Sequence, residues 1–406
     1  MTHRAPAALA VLCCLFAAVV VPASVADEPG LATVDAASAE TATEQTASPE
    51  ATETPAAVAA PEELVVHYEG ADRGAGRGLR AVLIAGDHEY RSEEAIPALA
   101  RILAERQGMT CDVLITTDPK TGFIQPGSNH LPGTHLLDDA DLLVIFARFQ
   151  HLPAEQMEPI ARYLRRGGPV VGLRTSTHAF QIPKDDPYAR FDWRSEVPGY
   201  EGGFGRQVLG ETWISHYGKN HVYSTQLEVL PEVADHPVLR GIEQVEGPDM
   251  WVEAGGYWVD PMPDSTVLAR CIPIDTMTPE GQPVEGKEWC PGAWVRTYED
   301  PEGEPREAGD PRRSGRVFNT TYGASEDLRN DPFRRLTVNA CLWAAGREAE
   351  ITPDLDIAFV GPYEPATFGF NRHRTQVRPG ELADLAFPIF PSDRPLAPGR
   401  QRKRKR

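Results

Sequence analysis

Basic charge is scarce in the body of this chain: residues 62–399 contain 33 Lys and Arg against 52 Asp and Glu, a net charge of −19. So acidic a body offers no broad face for neutralising phosphates, which argues against nucleic acid as its main partner. The six basic residues within 400–406 read as a solvated terminal cluster rather than a binding arm. Long apolar runs are also missing beyond residue 26, so no transmembrane segment is expected there. Residues 27–61 lack Lys, Arg and aromatic side chains and carry seven acids. Such a stretch cannot bury enough apolar area to offset the cost of ordering it, and it is expected to be a disordered linker.

Cysteine is sparse too. Two of the six, Cys13 and Cys14, lie in the first 26 residues. The other four permit disulfides in an oxidising compartment. Cys271 and Cys290 bracket a Pro- and Gly-rich loop and are the expected pair, whereas Cys111 and Cys341 sit in apolar runs and are expected to be buried thiols.

The start of the chain does carry a signal. Arg4, an apolar run over 7–21 and Ser24-Val25-Ala26 before Asp27 form the pattern of a cleavable signal peptide, so export to the periplasm or cell exterior is expected. The run is shorter than the roughly 20 residues of a membrane span.

Residues 79–85 are continuously apolar, as a strand buried on both faces requires. Ser92-Glu93-Glu94 opens a helical pattern reaching Gly108. Further strands are predicted at 111–116, 141–146 and 169–173, with a helix over 153–166 stopped by Gly167-Gly168. Strand-helix alternation of this kind predicts a flavodoxin-like α/β fold, a doubly wound, mostly parallel sheet with ligands at the carboxyl ends of its strands. Strand-like pieces at 222–230, 265–270, 293–297 and 315–321 and a helix at 332–345 complete a domain over 62–350. Residues 351–406 are Pro- and Arg-rich, without periodicity, and read as an irregular extension that wraps the body.

Several segments then align. Gly86-Asp87-His88-Glu89-Tyr90-Arg91, Arg148-Phe149-Gln150, residues 167–174 leading to Thr177-His178-Ala179-Phe180, Asp235-His236-Pro237, and residues 315–323 together resemble the ThuA-like (trehalose-utilisation) branch of the class I glutamine amidotransferase-like superfamily. The resemblance spans about 78–347 and implies a carbohydrate-related role. Glutamine amidotransferases place a nucleophilic Cys at the elbow after the fourth strand, whereas this chain has Arg174. A guanidinium is permanently protonated and cannot attack a carbonyl, so thiol-type glutamine hydrolysis is excluded. A His that the resemblance places after the late Thr-Thr-x-Gly is replaced by Ala324.

The strand ends are expected to gather a polar site. His178 is the candidate acid/base, Asp87 or Glu89 its orienting carboxylate, and Arg174 the group that binds developing charge. His88, Arg148, Gln150, Trp213 and Tyr217 are candidate substrate-binding residues, with Trp251 and Trp258 as further flat surfaces for a sugar. His216 and His221, with His88 or His178, are candidate ligands for a zinc-type divalent metal. A plainer assignment has Asp87 capping the next helix, the arginines pairing with Glu89 and Glu93, and the histidines satisfied in loops. The expected function is an exported protein acting on or binding a sugar or oxidised disaccharide by acid/base chemistry. The alternative is a non-catalytic carbohydrate-binding or envelope interaction module.

Overall fold

The computed structural model describes residues 63–242, 250–287, 289–303 and 315–397. The expected signal segment, acidic linker and basic end lie outside the described residues. One ten-stranded sheet organises the rest. At its centre five parallel strands run in the order β3 (Thr110–Ile115), β2 (Arg80–Gly86), β4 (Leu142–Ala147), β5 (Val170–Leu173) and β12 (Gly315–Thr320). Numbered by their own succession this is 2-1-3-4-5, the flavodoxin-like order. Antiparallel strands extend both edges: β1 (Val65–Tyr68) beyond β3, and β11 (Cys290–Tyr298), β10 (Thr266–Ile274), β7 (Ser224–Val229) and β8 (Trp251–Val252) beyond β12. A separate hairpin-like pair joins β6 (Ser215–His216) to β9 (Tyr257–Trp258).

The apolar runs are continuous because the central strands are covered twice. On β2, Val82 and Ile84 enter the core beneath α2 (Ala154–Arg165), while Ala81, Leu83 and Ala85 enter the opposite core with α1 (Ser92–Glu105) and α3 (Asp331–Ala344). Period-two alternation therefore exists in space but is hidden in the sequence, since both faces need apolar side chains. Gly167 ends α2 at φ 72°, a left-handed position that glycine adopts without strain, with its N–H on the Leu164 carbonyl. Asn330 caps α3 by accepting the Phe333 N–H at 2.9 Å. Among the described residues no helix is long and apolar enough to cross a membrane.

Cys271 and Cys290 face each other in register on β10 and β11, yet both are free thiols, as are Cys111 and Cys341. The expected disulfide is therefore absent from this structure. The Cys290 thiol instead contacts the Tyr257 and Val259 carbonyls, and the Cys271 sulfur occupies the space that a side chain on Gly256 would need. Burial pushes the two thiols up to about 12 and about 11, so neither is a ready nucleophile.

Residues 351–397 are built into the body. Ile351, Ile357, Phe368, Val377, Leu382 and Ile389 are buried in the same core as α1. Arg101, fully buried on α1, donates to the carbonyls of Leu382, Asp384 and Phe387 at 2.9–3.1 Å. Fixed cationic donors here take the place of a secondary-structure ladder.

Candidate functional site

Strand order reverses between β2 and β4, the point where open α/β sheets form their ligand crevice. A cavity of about 250 Å³ lies there. Glu89, Tyr90, Arg148, Phe149 and His178 reach it from the ends of β2, β4 and β5. Trp193, Arg194, Trp213, His216 and Tyr257 close it from the second half of the chain. A larger hollow of about 520 Å³ beside α2 is less suited to chemistry. Its arginines are already committed, Arg162 to Asp138, Arg165 to Glu158 and Arg166 to the Leu137 carbonyl.

Backbone strain marks the same place. Non-glycine residues with φ between 49° and 60° occur at Arg91, Phe149, Arg174 and His221, and at Asn371 in the C-terminal extension; each of the first four costs on the order of 1 kcal/mol or more. Strain of this kind persists where surrounding contacts over-determine a functional geometry. Arg174, at φ 49°, keeps the sharp strand-to-turn elbow that would present a nucleophile, but carries a cation there.

That cation does not face the cavity. Arg174 is fully buried, its guanidinium held between the rings of Tyr90 and Tyr257 at 4.1 and 4.2 Å, and it donates to the Gly255 and Thr321 carbonyls. The expectation that it binds developing charge is corrected: it is a cation–π wedge behind the cavity wall. Asp87 is likewise not an orienting partner of His178. Its carboxylate accepts the Glu89 and Tyr90 N–H groups and the Thr175 hydroxyl, closing the turn that leads into α1. The Gln150 amide nitrogen donates to the Gly86 and Arg148 carbonyls, and its Oε1 is buried without a partner. Tyr217 packs on Trp258 and under Lys287, away from the cavity lining, and Trp251 donates to Ser224.

The remaining candidates do converge. Arg148 pairs with Glu89 at 3.1 Å and contacts His88 at 3.4 Å. Asn220 and His221 bond to the other Glu89 oxygen at 3.2 and 3.3 Å. Burial would raise the Glu89 carboxyl, but the His221 hydrogen bond and the Arg148 and Arg174 charges outweigh it and hold the group below its ordinary range. His178 touches Phe149, Trp213 and Tyr257 with ring centroids 4.9–5.8 Å apart, and its Nδ1 meets the Thr177 hydroxyl at 3.1 Å. Burial and then the Arg148 and Arg174 charges hold it well below 6.5. Burial, followed by Arg174, lowers His216 to about 4, and burial also lowers His88. These three imidazoles are therefore neutral at neutral pH.

The metal expectation does not fit the described residues. No three His, Cys, Asp or Glu side chains among them come together as a ligand set. His221 stacks on Phe368 at 4.7 Å and serves Glu89, while His216 packs against Trp213 and Tyr257.

Phe368 and Phe370 belong to the C-terminal extension, which frames the site. Phe370 lies 5.2 Å from His88 and 5.0 Å from the Arg148 guanidinium. Gly369 donates to the Glu89 carbonyl and accepts from Arg91 at 2.7 Å. The extension also docks on buried carboxyls, with Ala366 N–H on Glu94 and Phe368 N–H on Glu326. Burial, then the neighbouring Glu253, pushes Glu326 up to about 8; burial and Glu93 push Glu94 well up, against the opposing charge of Arg91. A raised carboxyl contributes stability that is complete below about pH 4.5 and is lost as pH rises through about 8. Differential scanning calorimetry should therefore show Tm falling more steeply between pH 5 and 8 in the native chain than in Glu326→Gln. Equal slopes would refute this assignment.

Tyr90, Phe149, Trp193, Arg194 and Tyr257 were not singled out by the sequence. Tyr90 and Phe149 adjoin predicted site residues and were accessible from the strand-end rule; the other three come from loops and a two-residue strand that carry no local signal.

The profile of the ThuA trehalose-utilisation family matches residues 81–344. Among solved structures the chain is similar to a putative ThuA-like protein from Parabacteroides merdae, at 15% identity and TM-score 0.40, covering 66% of this chain and 90% of that one. A putative ThuA-like protein from Bacteroides uniformis matches at 14% identity and TM-score 0.39, covering 70% and 99%. A cytoplasmic protein from Salmonella typhimurium matches at 14% identity and TM-score 0.35, covering 68% and 99%. No curated protein matches. With the family profile spanning well over half its length, from the first central strand through α3, this chain belongs to the ThuA trehalose-utilisation family.

Proposed function

We propose that the cavity binds a small carbohydrate, a sugar or an oxidised disaccharide, and moves a proton on it without a covalent thiol step, in a chain exported by its N-terminal segment. The observation that carries this reading is one cavity in which aromatic walls from Phe149, Trp193, Trp213 and Tyr257 surround an ionised Glu89–Arg148 pair and the neutral imidazoles His178 and His216. Flat rings suit the apolar faces of a sugar, and the ion pair offers donors and acceptors to its hydroxyls. With Nδ1 engaged by Thr177, His178 has Nε2 left for a ligand. A neutral imidazole can take a proton from a carbon beside a carbonyl, and Arg148, one of two guanidinium groups lining the cavity, can meet the negative charge that develops.

The test follows deuterium entry from D2O into an oxidised disaccharide by NMR. Replacing His178 by Gln should slow exchange about 100-fold or more and leave affinity within a few-fold. Unchanged exchange in that variant would show the assignment to be wrong. Binding without exchange in the native chain would instead favour a non-catalytic sugar-binding module, a reading that Arg174 at the elbow and Ala324 support.

A further inference from the structure

We propose that Arg194 recognises an anionic group on the ligand, so that the carbohydrate this cavity takes is an acidic one, carrying a carboxylate or a phosphate. The inference rests on the carbohydrate reading above and adds its charge. Three arginines surround the cavity and differ in how their charge is met. Arg148 is neutralised by Glu89 at 3.1 Å, and Arg174 is sealed between two tyrosines. Arg194 lines the cavity, is exposed, and has no acidic partner within ion-pair distance among the described residues.

Nearby acids are already engaged. Asp192 accepts the N–H groups of Ile182 and Arg194 itself, and Glu196 pairs with Lys184 at 2.7 Å. The Arg194 guanidinium rests 4.0 Å over the Trp193 ring. Trp193 is held in turn: its backbone N–H donates to the Phe180 carbonyl, its backbone carbonyl accepts from the Thr212 hydroxyl at 2.7 Å, and its ring packs against Phe149 and Trp213 with centroids 5.4 and 5.7 Å apart. A guanidinium resting on an aromatic face keeps its rim of N–H donors available, and the fork suits two oxygens of one carboxylate or phosphate.

The charge balance agrees. With His178 and His216 neutral, the groups facing the cavity are one carboxylate and two guanidinium ions, a local excess of one positive charge in a chain whose formal net charge is −19. A cationic pocket in an anionic protein selects against cations and for a single anionic group.

The test titrates the purified full chain with glucose, glucuronate and glucose 6-phosphate, read by the fluorescence of the cavity tryptophans. At fixed ionic strength at least one acidic sugar should bind about tenfold more tightly than glucose, and Arg194→Gln should bring the two within about twofold. Arg194→Lys, which keeps charge but not the fork, should fall between. Preference for glucuronate or for the phosphate identifies which anion is read. Glucose binding as well as both acids, or a preference surviving in Arg194→Gln, overturns the proposal and leaves the carbohydrate reading standing. Binding of none of the three also overturns this proposal, whereas the carbohydrate reading falls only if the oxidised disaccharide fails to bind as well.

Discussion

Cutting the chain after residue 350 should abolish cooperative folding. The described residues of the C-terminal extension contribute no regular strand or long helix, so its removal looks harmless from sequence, but the contacts it makes are of the most costly kind to lose. Arg101 would lose the Leu382, Asp384 and Phe387 carbonyls. Hydrogen bonds from a charged group are worth about 1.5–3 kcal/mol each. Arg334 would lose the Ile357 carbonyl, Gln107 that of Asp356 and Tyr68 that of Leu382, at about 1 kcal/mol or more each for groups left unsatisfied. Six buried apolar side chains of the extension would leave α1 uncovered, each worth about 1.5–3 kcal/mol as an upper figure. The total exceeds the 5–15 kcal/mol by which a domain is typically stable. Thermal melting followed by circular dichroism should show no sharp transition, with strong binding of a hydrophobic dye. A truncated chain melting cooperatively within a few degrees of the native one would show that the extension is only an accessory.

The extension also shows where sequence stops being informative. β2, β4 and β5 were legible because a strand covered on both faces must be apolar throughout, and α1 and α2 because one face of each repeats at helical spacing. That Glu89, Arg148 and His178 would line one cavity was legible because parallel sheets place their ligand loops at the strand ends. Nothing comparable announces residues 366–370: Phe368 and Phe370 act singly, and their anchors, Arg91, Glu94 and Glu326, lie far away along the chain. Two-residue strands such as β6 and β9 are invisible for the same reason, yet they carry His216 and Tyr257. Arg174 was legible as an exclusion and misleading as a role. Its residue type removes thiol chemistry, but only tertiary packing reveals that the side chain turns behind Tyr90 and Tyr257.

That packing leads to the second large effect, at Arg174 itself. Replacement by Ala leaves a void between two tyrosine rings and strands the Gly255 and Thr321 carbonyls. The cost should be about 3–5 kcal/mol, by analogy with other large-to-small core replacements. Arg174→Met fills most of the void and removes a buried cation that has no carboxylate within ion-pair distance among the described residues. Because desolvating an unpaired charge is itself costly, the Met variant should lose much less stability than the Ala variant. A purely structural role would end there, but the charge also acts on the cavity. Arg174 is among the groups that depress His178, and after burial it is the main one that lowers His216 to about 4. Taking away a neighbouring positive charge favours protonation, so the His216 pKa should move upward from about 4 toward 6.5 in Arg174→Met, measured by NMR titration of the imidazole C–H signals. An unmoved His216 in a folded Arg174→Met protein would confine Arg174 to packing. A shifted one would mean that the cation standing where a nucleophile would sit works through its field, keeping the cavity's imidazoles unprotonated.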